Sequence, residues 1–440
     1  MNAGCLSLIL IILGFVASAK GGNWANWRGP NFNGTAAADE KGLPVEFSKD
    51  ENIKWTVELP GVGASTPAVW GDHVFLTSAN NAGENSVALA YDRKSGKELW
   101  RLEFPGVKQD DRSNYAAPSA VTDGKVVYFF FGNGHLGCYD FDGKEVWRRN
   151  IVEDYGQFAF GWTFSTSPVL HDGKLFLQVC QRDVKVSGKG SDDNRSYLLA
   201  MDPATGKEIY RHFRPASAKA ESLESFNTPT PFTHNGRDEI LISGGDCISG
   251  HNPDTGKELW RWGTWNPDRE GHWRLVPSPI GGGGVILACA PKKHPIYGVK
   301  AGLEGTFADE SALAWTSDPG NKESPITSDV PTPAFHDGNF FILAGNAKVI
   351  SCVTPDGKIL GSQRLDAKIK FEASPTIADG KIYLMSHLGE IYVLEANEGL
   401  KILHQTEMGE SGKNLSRASV AVSQGNLFIR TDTHLFCVGS

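Results

Sequence analysis

Charged and aromatic side chains gather in the segments that precede a recurring Ser/Thr-Pro or Ala-Pro step. They are Arg112, Tyr115, Trp162, Glu224, Asn227, Trp273, Arg274, Asp329, Glu372 and Arg417, in stretches such as DRSNYAAP (111–118), FGWTFSTSP (160–168) and GHWRLVPSP (271–279). Guanidiniums, carboxylates and indoles in one place are the lining of a small-ligand pocket. A second candidate is a phrase that repeats: DRKSGKELWR (92–101), DGKEVWR (142–148), DPATGKEIYR (202–211) and NPDTGKELWR (252–261). Its acid and lysine suggest acid–base chemistry. A site, however, needs its groups to converge on one reacting atom. Copies about fifty residues apart, each in its own structural unit, do not converge. As architecture the phrase reads well: the acid caps a turn, the glycine takes a left-handed position, Lys and Glu face water, and the aromatic packs.

Other motifs carry less. SGKGS (187–191) and GESGKN (409–414) resemble phosphate loops but lack their spacing. No Asp-x-Asp-x-Asp-Gly calcium loop and no Gly-x-Ser-x-Gly elbow occurs. Beyond Cys5 there are six cysteines, Cys138, Cys180, Cys247, Cys289, Cys352 and Cys437, with no Cys-x-x-Cys, which argues against zinc. Cys138 and Cys352 fill positions that hold alanine in other copies. A disulfide between repeat units stays open, because sequence does not fix the distances.

The elements that must position these residues come from three signals in fixed order. The Pro step is followed by apolar residues, then by a tight Gly turn such as Asp123-Gly124, Asp172-Gly173, Asn235-Gly236 or Asp379-Gly380, then by the phrase. Asp-Gly and Asn-Gly between alternating runs mark hairpins. Each copy therefore reads as a four-stranded antiparallel unit, and such units around an axis make a β-propeller. Seven copies with a fourth strand span 66–104, 117–151, 166–213, 228–262, 277–317, 332–366 and 373–408; an eighth, 417–440, stops after three. IKWTVEL (53–59), with Trp55 in the aromatic slot, supplies its missing strand and leaves no open edge. The prediction is an all-β, eight-bladed propeller over 53–440, preceded by an extension at 20–52, with almost no helix. Insertions at 184–195 and 300–311 are expected as surface loops.

Ser/Thr-Pro, an Asp-Gly turn and Asp-x-x-Thr-Gly-Lys-Glu-x-x-Trp together resemble the quinoprotein-type propeller repeat, over nearly all of the mature chain. NWRGPNFNG (26–34) resembles the Trp-Arg-Gly-Pro opening of exported bacterial members. The resemblance implies one of two functions. One is a dehydrogenase holding pyrroloquinoline quinone and Ca²⁺ on the axis, with Glu224, Asn227 and Asp329 as ligand or base positions. The other is a non-catalytic scaffold, like the propeller lipoprotein of the outer-membrane assembly machine. Those dehydrogenases carry two adjacent cysteines joined over the quinone, and no two cysteines here are adjacent.

Net charge −8 argues against a nucleic-acid partner. LSLILIILGFV (6–16) followed by Ala17-Ser18-Ala19 reads as an export signal cleaved after Ala19, although residues 1–19 hold no Lys or Arg. An uncleaved anchor, the one route to membrane contact, stays open. The expectation is a periplasmic or secreted, non-catalytic propeller with no cofactor, binding another exported protein or a small ligand at its channel mouth. The alternatives are a quinone- and Ca²⁺-dependent oxidoreductase, and a carbohydrate binder stacking sugars on Trp162 and Trp273.

Overall fold

A computed structural model describes residues 22–80, 84–106, 110, 112–263, 265–323, 325–409 and 415–439. Eight sheets, each built on four antiparallel strands, form a ring, and each is one blade. The three inner strands of a blade face a neighbouring blade on both sides, so they bury continuous runs, as in Tyr197–Met201 and Val285–Cys289. The outer strand has one face in water and alternates, as in Glu98–Pro105. Helix amounts to Ile151–Tyr155 and two 3₁₀ turns among the described residues. Blade 8 is completed by Ile53–Glu58, which pairs antiparallel with His434–Val438 and sets Trp55 against Cys437.

The repeated phrase is the joint between blades. Asp92 accepts the Ser95 amide at 2.8 Å, as Asp202 and Asn252 do in their own turns. The aromatic then donates to the turn of the following blade. Trp55 reaches the Arg93 carbonyl at 2.8 Å, Trp100 that of Phe141 at 2.9 Å, Trp147 that of Pro203 at 2.8 Å and Trp315 that of Pro355 at 2.9 Å. Tyr210 does the same with its hydroxyl, 2.9 Å from Pro253 O. The phrase glycine has a second duty here. Gly206 has φ +69°, and a Cβ on it would stand 2.6 Å from the Trp147 ring.

One joint differs. The fifth copy has no glycine phrase, and Trp260 instead donates to Glu239 of its own blade at 2.5 Å. The insertion at 300–311, expected as a surface loop, holds a strand: Gly305–Phe307 pairs parallel with Trp260–Trp262 and makes blade 4 five-stranded. The six cysteines are free and buried.

Candidate functional site: a one-ended axial well

Eight Ser or Thr residues link the blades around the axis. Each hydroxyl oxygen accepts the backbone N–H of its counterpart in the preceding blade. The order is Thr66 to Ser119 (2.9 Å), Ser119 to Ser167 (3.0 Å), Ser167 to Thr228 (3.2 Å) and Thr228 to Ser278 (2.9 Å). It continues Ser278 to Thr332 (2.9 Å), Thr332 to Ser374 (2.9 Å), Ser374 to Ser419 (3.0 Å) and Ser419 back to Thr66 (3.1 Å). The circle is complete. In most blades the member is the residue before the proline. In blade 2 it is Ser119, after Pro118. In blade 4 it is Thr228, two residues before the Thr230-Pro231 step that the repeat alignment selects.

Below this ring residues 22–36 form a strap that bridges blades 1, 2, 6 and 7, with main-chain bonds from Trp24 to Val69, Thr122 to Ala25, Phe335 to Asn33 and Ile377 to Gly34. Arg28 points up from this strap and donates to Pro375 O at 3.0 Å and Pro333 O at 2.7 Å. It is buried, its Nε has no partner, and burial lowers its pKa to about 9. Above it lies a well of about 350 Å³, lined by the eight ring residues, by Trp27 of the strap and by the segments of the mouth.

The structure brings seven of the ten candidate residues to that well: Arg112, Trp162, Asn227, Arg274, Asp329, Glu372 and Arg417. Arg112 lies over the Trp162 ring, 5.8 Å from its centroid, and the Trp162 indole donates to Glu221 at 3.1 Å. Arg274 stands 3.5 Å from Asp329, whose carboxylate also accepts the Lys292 amide at 2.9 Å. Glu372 meets Lys370 at 2.6 Å, Arg417 at 2.8 Å and His387 at 2.8 Å. Burial alone would raise its pKa. The three neighbouring cations or donors outweigh burial and hold it well below the usual carboxylate range. Asn227 is a clamp as well as a wall, donating to Ser243 O at 2.9 Å and Pro277 O at 3.2 Å.

Three candidates stand outside the well. Tyr115 packs beside Gly132 and gives it a carbonyl at 3.0 Å. Trp273 is buried in the core against His294, ring centroids 4.0 Å apart, so its face is not open to a sugar. Glu224 is fully buried, bonded to Arg182 and, at 2.9 Å, to the Gly161 amide, while its Oε2 has no partner. Burial, the largest influence, raises its pKa. The motif around Gly409–Asn414 lies outside the described residues apart from Gly409, as do residues 1–19.

Sequence reasoning missed Trp27, Lys292 and Lys370. The Trp-Arg-Gly-Pro opening was a signal for Trp27. Lys292 sits between the second and third strands of blade 5, off the segments that lead into the inner strands.

The well therefore carries five cations, Arg112, Arg274, Lys292, Lys370 and Arg417, against two carboxylates that are already engaged. Among the described residues, no three His, Cys, Asp or Glu side chains are grouped to hold a metal. Of the three positions the resemblance implies for Ca²⁺, which takes oxygen ligands, Glu224 is buried against Arg182 and the Gly161 amide, Asn227 donates to two carbonyls, and Asp329 holds Arg274 and the Lys292 amide, so they do not fit the ion together.

The fold is an eight-bladed propeller of the quinoprotein type. The chain belongs to the family described as outer membrane protein assembly factor BamB, whose model matches residues 33–187 and 248–438. It is 28% identical over 209 residues to 1-butanol dehydrogenase (cytochrome c) of Thauera butanivorans, covering 45% of this chain and 27% of that protein. It is 24% identical over 235 residues to BamB of Yersinia pestis, covering 49% and 53%. The match thus spans about half or less of these relatives' length. Among solved structures it is similar in fold to quinohemoprotein alcohol dehydrogenase of Comamonas testosteroni (TM-score 0.62, 14% identity, 97% of this chain and 82% of that one). BamB of Moraxella catarrhalis gives a TM-score of 0.56 at 13% identity, over 88% and 99%.

Proposed function

We propose that this chain is an exported, non-catalytic propeller scaffold that seats an anionic group in its axial well, carried by a partner protein or a small ligand. The observation behind the reading is the charge of the lining: five cations face two carboxylates that other groups already hold. The ring adds to it. None of its eight hydroxyls donates to a protein acceptor among the described residues, so their protons are available to a guest. Membership in a family described as an assembly factor fits a scaffold role. Export rests on the apolar start at 6–16, and among the described residues no helix is long and apolar enough to cross a membrane.

The test is a thermal-shift and calorimetric titration with inorganic phosphate, citrate and an acidic peptide. The expected result is stabilisation of the wild type by at least one of them. It falls about tenfold or more in affinity in an Arg274→Gln/Arg417→Gln variant, since charge-assisted bonds contribute about 1.5–3 kcal/mol each. No response to any anion, or turnover of alcohols or sugars with added quinone and Ca²⁺, overturns it.

A further inference from the structure

Cys247 is set apart from the other cysteines. It opens the third strand of blade 4, on the face that carries the well's mouth. Arg214 Nη2 lies 3.0 Å from its sulfur and Arg261 Nη1 lies 3.5 Å away. Arg261 is matched by Glu258 at 2.6 Å. Arg214 is not matched: it is buried, its other contacts are the Gly244 and Cys247 carbonyls and Ser249 Oγ, and among the described residues it forms no ion pair. Its charge is felt by Glu258, and the Cys247 sulfur, 3.4 Å from the Gly244 carbonyl, is the one group that both guanidiniums approach; cations beside a cysteine sulfur are the surroundings of a reactive cysteine.

Cys180, in the neighbouring blade 3, lies on the same side. A Cβ built on Gly244 would stand 3.3 Å from Cys180 Sγ, and Gly244 is the strand partner of Cys247. Burial, the largest influence, pushes the Cys180 thiol up, while Arg214 and Arg261 pull it down. Cys289 provides a contrast in the same molecule. It is exposed to the same extent as Cys247, 6%, yet among the described residues no cation is hydrogen-bonded to its sulfur, and burial pushes its thiol up to about 12.

We propose that Cys247 is a reactive cysteine that hydrogen peroxide oxidises, with Cys180 as the thiol that resolves it into a disulfide between blades 3 and 4. The Cys247 thiolate attacks one peroxide oxygen. The O–O bond breaks, hydroxide leaves, and sulfur is oxidised to a sulfenic acid while peroxide is reduced. The Cys180 thiol then attacks that sulfur, the S–O bond breaks and water leaves with the thiol proton. The site is independent of the anion-binding reading and stands or falls separately.

The test is pulse alkylation of the native full chain with iodoacetamide, read cysteine by cysteine by mass spectrometry. Cys247 is expected to react about tenfold or more faster than Cys289 at neutral pH, because the thiolate is the nucleophile. Arg261→Gln, at a residue that touches solvent, is expected to slow Cys247 several-fold and leave Cys289 unchanged. Stoichiometric peroxide is expected to give a Cys180–Cys247 linked peptide, and in Cys180→Ala a dimedone adduct on Cys247 instead. Equal rates for Cys247 and Cys289, or peroxide oxidation without that linkage, overturns the proposal.

Discussion

Single residues in this fold are decided by what surrounds them more than by their type. Asp246, next to Cys247, is buried with one carboxylate oxygen bonded to Asn266 at 2.8 Å and the other without a partner. Burial is the main cause that raises its pKa to about 6. The folded state thus holds this proton more tightly than the unfolded chain does. The contribution to stability is present below the ordinary carboxylate range near 4 and is lost as pH rises through about 6. Asp246→Asn is expected to remove that decline and gain about 3 kcal/mol on the wild type at pH 7 while matching it near pH 4. Urea midpoints at the two pH values check this, and an advantage that does not grow with pH contradicts it. Glu224 shows the limit of reading residue types alone. As a carboxylate near the axis it suggests a metal ligand or a base, but only the fold reveals that Arg182 and a backbone amide already hold it.

At the level of the element, the repeated phrase does what its residue types suggest, and the reason is local. An acid three residues before a turn amide, a glycine with positive φ and an aromatic four residues on are adjacent in sequence, so their interactions are legible there. The five-stranded blade was not legible. Gly305–Phe307 is short, lies in an insertion, and pairs with Trp260–Trp262 more than forty residues earlier. Nor was the position of Thr228, because blade 4 offers two Thr-Pro steps and only the ring chooses between them. The close approach of each glycine to the preceding aromatic is equally silent in sequence, and it makes a prediction. Gly206→Ala meets both a left-handed φ and the Trp147 ring, and is expected to cost about 2 kcal/mol or more, measured by denaturant unfolding. Gly173→Ala is the comparison, with the same sign of φ but nothing within 4 Å; equal costs would show that strain alone matters.

For the whole molecule, closure is achieved twice, by Ile53–Glu58 at the outer wall of blade 8 and by the hydroxyl ring on the axis. Each link of the ring satisfies a buried N–H, so each is costly to leave open. Thr332→Val keeps shape and burial but strips the acceptor from the Ser278 amide, 2.9 Å away. It is expected to destabilise by about 1–3 kcal/mol, and Thr332→Ser is expected to restore most of it. A Val variant as stable as the wild type would show that the ring does not hold the blades. Seven of the ten candidate residues converge at the mouth because the repeat fixes where each segment ends. The strap escaped detection because its partners are the carbonyls of Pro333 and Pro375, some three hundred residues away.

The strap also sets a rule of entry. With Trp27 in the lining and Arg28 tied to the carbonyls of Pro333 and Pro375, the strap stands in the way of passage along the axis. A guest that meets it leaves by the way it came. On the proposed reading, a polymer that reaches the strap does so with a terminus, since the middle of a chain would have to fold back on itself in about 350 Å³. A well of that kind distinguishes a free tip from an internal stretch of identical chemistry.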